Sequence, residues 1–593
     1  MTYPTKWNLA RYFYTGLDDP KLAADIANIL PTTEKFSKQY EQTFHTFTTP
    51  EQILWFYSDY TAMSHDMATP SYYLFYRSSL DTQDLAVTKR MGEVDYIYTE
   101  ASNQMLWVAQ WWKAIGYDQI MDWSHDPKLA QYKNDLLSTA DGIKYILGEA
   151  EEKVLNLKSR PLSLANSLHD ELTGSYEFTM TIDGEEKKLT EEEVRSYRQH
   201  TDRNIRRESY ESLRRVYNSK QTQISLGNIY TSIVKDWSSE ITMRGYPDTV
   251  MAQRNISEEM DDEVVDMLLS EVEKAYPLYQ RFLNIKSKML GLEGDLKVWD
   301  VSAPVWDASR KVEFTEAMDI HLAMMKEFDS EFYDYSLDMI EWERIDVFPA
   351  AGKRGGAYAS YRKNDESFIL LNFQNKVSDI WALSHELGHA IHGHLSQAQE
   401  DPVYDSGIPM AETASLFSEM LLSEYMPKIL NIEEQKSYFD TRLLDTFGNI
   451  MRSTMYTRFE KRVHTNIHAW EELNYRDLNI AWRDEQVKLS GDIVHYDLPP
   501  EEDSGWSMIP HIFHSPFYCY GYAFGFIMVF ALYARYKADP AFKEDYKDIL
   551  RSGGSERPRD LLARYAIDIA SPEFYQSGLR EVERMVEEFE NLV

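Results

Sequence analysis

His385, Glu386 and His389, within the run Leu383-Ser384-His385-Glu386-Leu387-Gly388-His389-Ala390, are the residues of this chain best spaced to do chemistry. On a helix of about 3.6 residues per turn the two imidazoles stack one turn apart on one face, so both reach a single tetrahedral Zn²⁺. Glu386, beside them, is placed to take a proton from the water that such a metal activates, which is the general-base role in metalloproteases. The lead-in fits a helix: Asp379 falls at the N-cap or in the first turn, and Ile380, Leu383, Leu387 and Ile391 recur at helical spacing.

A catalytic zinc takes a third protein ligand and keeps its fourth position open. His392 and His394 follow on the same helix, and His392 projects to the face of His385 and His389, but three ligands from one straight helix fit a tetrahedron poorly. The extended metzincin pattern needs Gly at 392 and His at 395, where this chain has His392 and Leu395. The segment 409–419 predicts a second amphipathic helix, with Met410, Ala414, Phe417 and Leu421 on one side and Glu412, Ser415 and Glu419 on the other. Glu412 opens that polar stripe after a loop long enough to fold one helix against the other, which makes it the expected third ligand. Glu419, two turns on, is a candidate acceptor for a ligand imidazole.

These residues carry a resemblance. The motif helix followed by Glu412 in Ala411-Glu412-Thr413-Ala414-Ser415 resembles the thimet oligopeptidase family of zinc metallopeptidases, within it the oligoendopeptidase F branch. The segments 368–373, 352–358 and 297–300 look like further landmarks of that family, and the likeness is close from about residue 200 to 593 and looser before it. The resemblance implies a mostly α, two-lobed helical zincin with a deep central channel, one Zn²⁺ per chain, and cytoplasmic cleavage of short peptides. It also assigns the family's transition-state histidine to His511 and its phenol donor to Tyr518 or Tyr522. Where the thimet branch has a glycine-rich loop this chain has His514-Ser515-Pro516-Phe517, which favours the oligoendopeptidase F branch and leaves the choice between His511 and His514 open.

The chemistry of the tail agrees. Amide hydrolysis passes through a tetrahedral oxyanion that preorganised His and Tyr donors stabilise, and the segment 509–522 holds His511, His514, Tyr518, Tyr520 and Tyr522. His514 and Tyr520 are expected among the substrate-binding residues. The one cysteine, Cys519, sits in an apolar setting without signs of activation as a nucleophile. The apolar run 368–373 predicts a strand, with 355–361 as partner, giving a small sheet beside the zinc helix whose edge can pair with an extended peptide. Gly355, Gly356 and Tyr358 are the expected substrate-binding residues there, on a flexible turn that lacks the Gly-Lys-Ser/Thr ending of a phosphate loop.

Around these elements, a chain of 593 residues with 43% apolar content exceeds one core. Its 25 Gly and 21 Pro leave long Leu/Glu/Lys/Met-rich stretches free to be helical. The alternating run 178–182, the Asp183-Gly184 turn and a return strand ending near Leu189 predict a hairpin, and Thr190 followed by three Glu predicts a helix start. That hairpin divides the sequence into an N-terminal helical region, 1–190, and a catalytic region, 191–593. Trp107, Trp111 and Trp112 are expected in a core. A net charge of -35 speaks against nucleic-acid binding. The stretch 523–534 is shorter than the about 20 residues of a membrane span, and residues 1–9 carry no secretory signal, so a cytoplasmic protein without membrane contact is expected. No feature sets an oligomeric state. Two other readings remain at this level: a zinc carboxypeptidase or dipeptidase acting at chain ends, with Arg354 or Arg362 as the carboxylate clamp, and a catalytically silent peptide-binding protein.

Overall fold

The computed structural model describes residues 3–247, 249–306 and 310–592. The chain is 70% helix and 4% strand, as the scarcity of Gly and Pro requires. Five short strands occur among the described residues. β1 (Phe178–Ile182) and β2 (Glu185–Leu189) form the predicted hairpin, closed by Asp183 and Gly184 at φ 53° and 80°, the two positive φ values that a two-residue turn between right-twisted strands demands. Thr190 and Glu193 then close a capping box on the helix Glu191–Ser196. β3 (Ile345–Asp346), β4 (Tyr358–Ser360) and β5 (Phe368–Leu370) form a sheet in the order β3-β5-β4, with β4 antiparallel and β3 parallel to the buried central β5.

Two compact units divide the chain. The first comprises Met1–Ile146, Arg310–Tyr425 and Ala541–Leu561, the second Leu147–Ser309, Met426–Pro540 and Leu562–Val593. Each is built from three separate stretches, so the units cut across a linear division at residue 190: the hairpin lies within the second unit, while the helices before it contribute to both.

In the first unit, Trp111 and Trp112 are buried with Phe36, Phe44, Phe56 and Trp123, a core cluster rather than a ligand platform. A second cluster joins the chain's beginning to the sheet, where Trp7 packs with Tyr76 and Phe368 and its Nε1 donates to the carbonyls of Arg344 and Ile369 at 3.0 and 2.7 Å. In the second unit the most apolar segment forms the helix Tyr520–Ala538, buried along most of its length. No helix among the described residues is long and apolar enough to cross a membrane.

Candidate active site

The helix Ser378–Leu395 carries the motif. Asp379 sits in its first turn and accepts from the backbone N–H groups of Gln374 and Lys376 at 2.7 and 2.9 Å, which fixes where the helix begins. Ile380, Leu383, Leu387 and Ile391 are buried, so the opposite stripe presents His385 and His389 to a cleft of about 590 Å³ within the first unit. Ala357 to Tyr361, Glu386, Asp405, Ser406 and Glu412 complete its walls.

The segment expected as one continuous helix from Pro409 is interrupted. Residues Ile408–Ala411 make one turn, Glu412 has ψ 5°, and the helix resumes as Thr413–Tyr425. The break coincides with close packing: a Cβ on Gly388 would lie 2.6 Å from both the Ala414 carbonyl oxygen and the Ser415 Cα, so the resumed helix crosses the motif helix at backbone contact. Glu412 stands at the kink beside both histidines.

Three donor atoms converge there. His389 Nε2 lies 3.2 Å from His385 Nε2, and Glu412 Oε2 lies 3.3 Å from the His389 nitrogen and 3.4 Å from that of His385. Zinc bonds of about 2.0–2.1 Å at tetrahedral angles require ligand–ligand edges of about 3.3–3.4 Å, so these residues fit a tetrahedral metal with one position open. Ser415 Oγ donates to Glu412 Oε2 at 2.6 Å, and His385 Nδ1 faces Glu419 Oε1 at 2.7 Å. Burial disfavours a charged His385 ring, but Glu419, Glu412 and Glu386 outweigh it and raise its pKa to about 9; the carboxylates that would hold a proton there also favour a cation. For Glu412, burial acts upward, yet its bond to His389 and the two rings hold the carboxyl well below the usual carboxylate range.

Glu386 points into the same cleft without belonging to the triangle. Its burial raises its pKa, against the lowering effect of the two histidines. Ala359, on edge strand β4, lines the same cleft as this general-base candidate. Neither further histidine of the motif helix joins the triangle: His392 is buried, which lowers its pKa to about 4, and His394 stacks on Tyr335 with ring centroids 4.1 Å apart.

Of the expected substrate-binding residues near the sheet, Tyr358 lines the cleft, whereas Gly355 and Gly356 do not. Their loop is tied down rather than loose: Arg354 N–H donates to the Ser79 carbonyl at 2.9 Å, and Asn372 Nδ2 donates to the carbonyls of Arg354 and Gly356, each at 2.8 Å. In the second unit His511, Tyr518 and Tyr522 form their own cluster, with Tyr522 Oη 3.5 Å from His511 Nε2 and the His511 and Tyr518 rings stacked. Tyr520 is 1% exposed and fills the core, so its ring offers no surface to a substrate. His514 instead faces Asp170.

The residues that sequence reasoning did not reach are those brought in by tertiary packing. Asp405 and Ser406 line the cleft from the loop before Glu412, and the buried His321 braces the motif helix, its Nδ1 lying 2.9 Å from Ser384 Oγ. No periodicity announces either.

Comparison with known proteins gives the family. The model of Peptidase family M3 matches residues 196–581 and that of the oligopeptidase F N-terminal region matches 111–178. Oligopeptidase PepF of Bacillus subtilis is 27% identical over 530 residues, covering 88% of this chain and 78% of its own length. An oligoendopeptidase F homolog of Borreliella burgdorferi is 26% identical and covers 99% and 98% of the two chains. Among solved structures, oligoendopeptidase F from Enterococcus faecium superposes with a TM-score of 0.70 at 20% identity, covering 96% of this chain and 97% of that one. Since the first of these models spans well over half of the sequence and encloses every residue of the donor triangle, the chain belongs to peptidase family M3.

Proposed function

We propose that this peptidase is a zinc metallo-oligoendopeptidase: His385, His389 and Glu412 hold one Zn²⁺ per chain, and internal bonds of short peptides are cut in the cleft they line. The observation that carries the metal assignment is the triangle of donor atoms with edges of 3.2 to 3.4 Å. A bound zinc supplies Lewis acidity that polarises the scissile carbonyl and acidifies water. Glu386 takes the proton from the attacking water and returns it to the departing amine, and its upward pKa shift brings the carboxyl closer to both tasks. Glu419 holds the proton of His385 on Nδ1, which leaves Nε2 to bind. Tyr358 and its neighbours on edge strand β4 are assigned to the substrate backbone. To His511 and to Tyr518 or Tyr522 we assign the stabilisation of the oxyanion, on the strength of the resemblance and of their mutual contact.

Endopeptidase action is favoured over trimming of chain ends by the state of the two arginines a carboxylate clamp would use. Arg362 bonds to Asp365, to the His65 carbonyl and to Thr69, and Arg354 lies over the Phe75 ring; neither lines the cleft. The oligopeptidase names of the relatives point the same way. A cytoplasmic setting fits the acidic chain and its single cysteine.

Mass spectrometry of products from short peptides of graded length tests the reading, with zinc-loaded protein beside Glu386→Gln. Internal cuts are expected from the native protein. The variant should keep its metal and lose about 10²–10⁴-fold in kcat/KM. Single-residue trimming, or equal activity in the variant, would overturn it.

A further inference from the structure

The helices Glu149–Gly174 and Pro510–His514, both in the second unit, bring together three potential metal ligands that the peptidase site does not use. Asp170 Oδ1 lies 3.0 Å from His169 Nδ1 and 2.9 Å from His514 Nε2, so one carboxylate oxygen faces two imidazole nitrogens from segments far apart in sequence. All three ligand atoms fall within 4.8 Å of one another. His169 is 4% exposed and stacks on Phe513 with centroids 4.0 Å apart, which fixes its ring plane. Among the described residues its Nε2 is buried without a hydrogen-bond partner, so every polar contact of this ring with them is made in the cluster. The side chains of Asp170 and His514 are 58% and 38% exposed, which leaves the outer side open for water to complete a coordination shell.

We infer that His169, Asp170 and His514 form a second site for a divalent transition metal of the zinc, nickel and copper class. Two imidazoles with one carboxylate select that class over calcium or magnesium, which prefer oxygen alone. Separations of 2.9 and 3.0 Å lie a few tenths of an ångström below a tetrahedral edge, and a rotation of the exposed Asp170 opens them. The site is weaker than the motif site, because its carboxylate is exposed and, among the described residues, no further acceptor orients its rings as Glu419 orients His385. A metal there ties the short helix that carries His511 to the long helix, and this consequence alone rests on the function proposed above.

Equilibrium dialysis of the full-length protein against zinc, with elemental analysis, tests the inference without an activity readout. The native chain is expected to take up two equivalents, the second at least about tenfold more weakly. His514→Ala and Asp170→Asn should each take up one, and His389→Ala should retain only the weaker. Saturation of the native chain at one equivalent, or two equivalents in both His514→Ala and Asp170→Asn, would overturn the second site. Two equivalents in His389→Ala would instead overturn the motif assignment, leaving the count in the other variants to judge the second site.

Discussion

A ligand imidazole must present a bare nitrogen to its metal, so the position of its other proton decides whether it binds. In the zinc site proposed for His385 the carboxylate of Glu419, 2.7 Å from Nδ1, sets that position, and Glu419 is itself 7% exposed, so water is a poor substitute. Glu419→Ala is therefore expected to weaken zinc binding by about 10–100-fold, with Glu419→Gln recovering part of the loss; competition with a chromophoric chelator measures both, and unchanged affinity in the alanine variant would remove Glu419 from the site. This residue was legible in the sequence because it repeats the helical period from Glu412. The placement of Asp405 and Ser406 in the cleft was not, since loop residues brought in by packing leave no periodic trace.

At the scale of elements, the triangle exists because two helices touch at backbone distance. A methyl at Gly388 meets the Ala414 carbonyl and Ser415 Cα at 2.6 Å, and neither can swing away as a side chain would. Gly388→Ala should cost about 1–3 kcal/mol in a denaturant melt and lower zinc affinity, because it moves Glu412 relative to the histidines; a stable variant with native affinity would show that the helices yield. The sequence showed a glycine inside the motif but not its reason, which lies on another element. It also showed no Pro or Gly to mark the break at Glu412, and packing imposed it. A second element depends on Glu460, which accepts the Phe517 N–H at 2.9 Å where Phe517 stands at φ 60°. Burial raises Glu460 from 4.5 to about 8. Over that window the folded chain holds a proton that the unfolded chain has released, so native stability falls as pH rises from about 4.5 to about 8. Glu460→Gln keeps the acceptor and has no proton to lose. Its stability relative to the native chain should therefore climb across that window, which urea melts at the two ends would read.

For the whole molecule, the sequence disclosed helices, hairpin and motif, because each is written in local spacing, but not that three separate stretches assemble each compact unit. Trp7 shows why: its indole N–H bonds to the carbonyls of Arg344 and Ile369, and nothing near residue 7 names those partners. Charge is the one whole-chain property that composition states outright, and it leads to a prediction. With 97 acidic against 62 basic residues the net charge is -35, so average repulsion opposes folding. Salt screens that repulsion, and it also screens exposed ion pairs, which contribute only about 0–1 kcal/mol each. The pairs that hold structure are shielded from it: Lys286–Asp440, Arg206–Asp300 and Arg483–Asp503 all have side chains under 10% exposed. Repulsion is thus the larger quantity open to screening, and Tm should rise between about 10 mM and about 300 mM sodium chloride at fixed metal loading. A fall over that range in scanning calorimetry would mean that exposed pairs, and not the surplus of carboxylates, set the electrostatic balance of the fold.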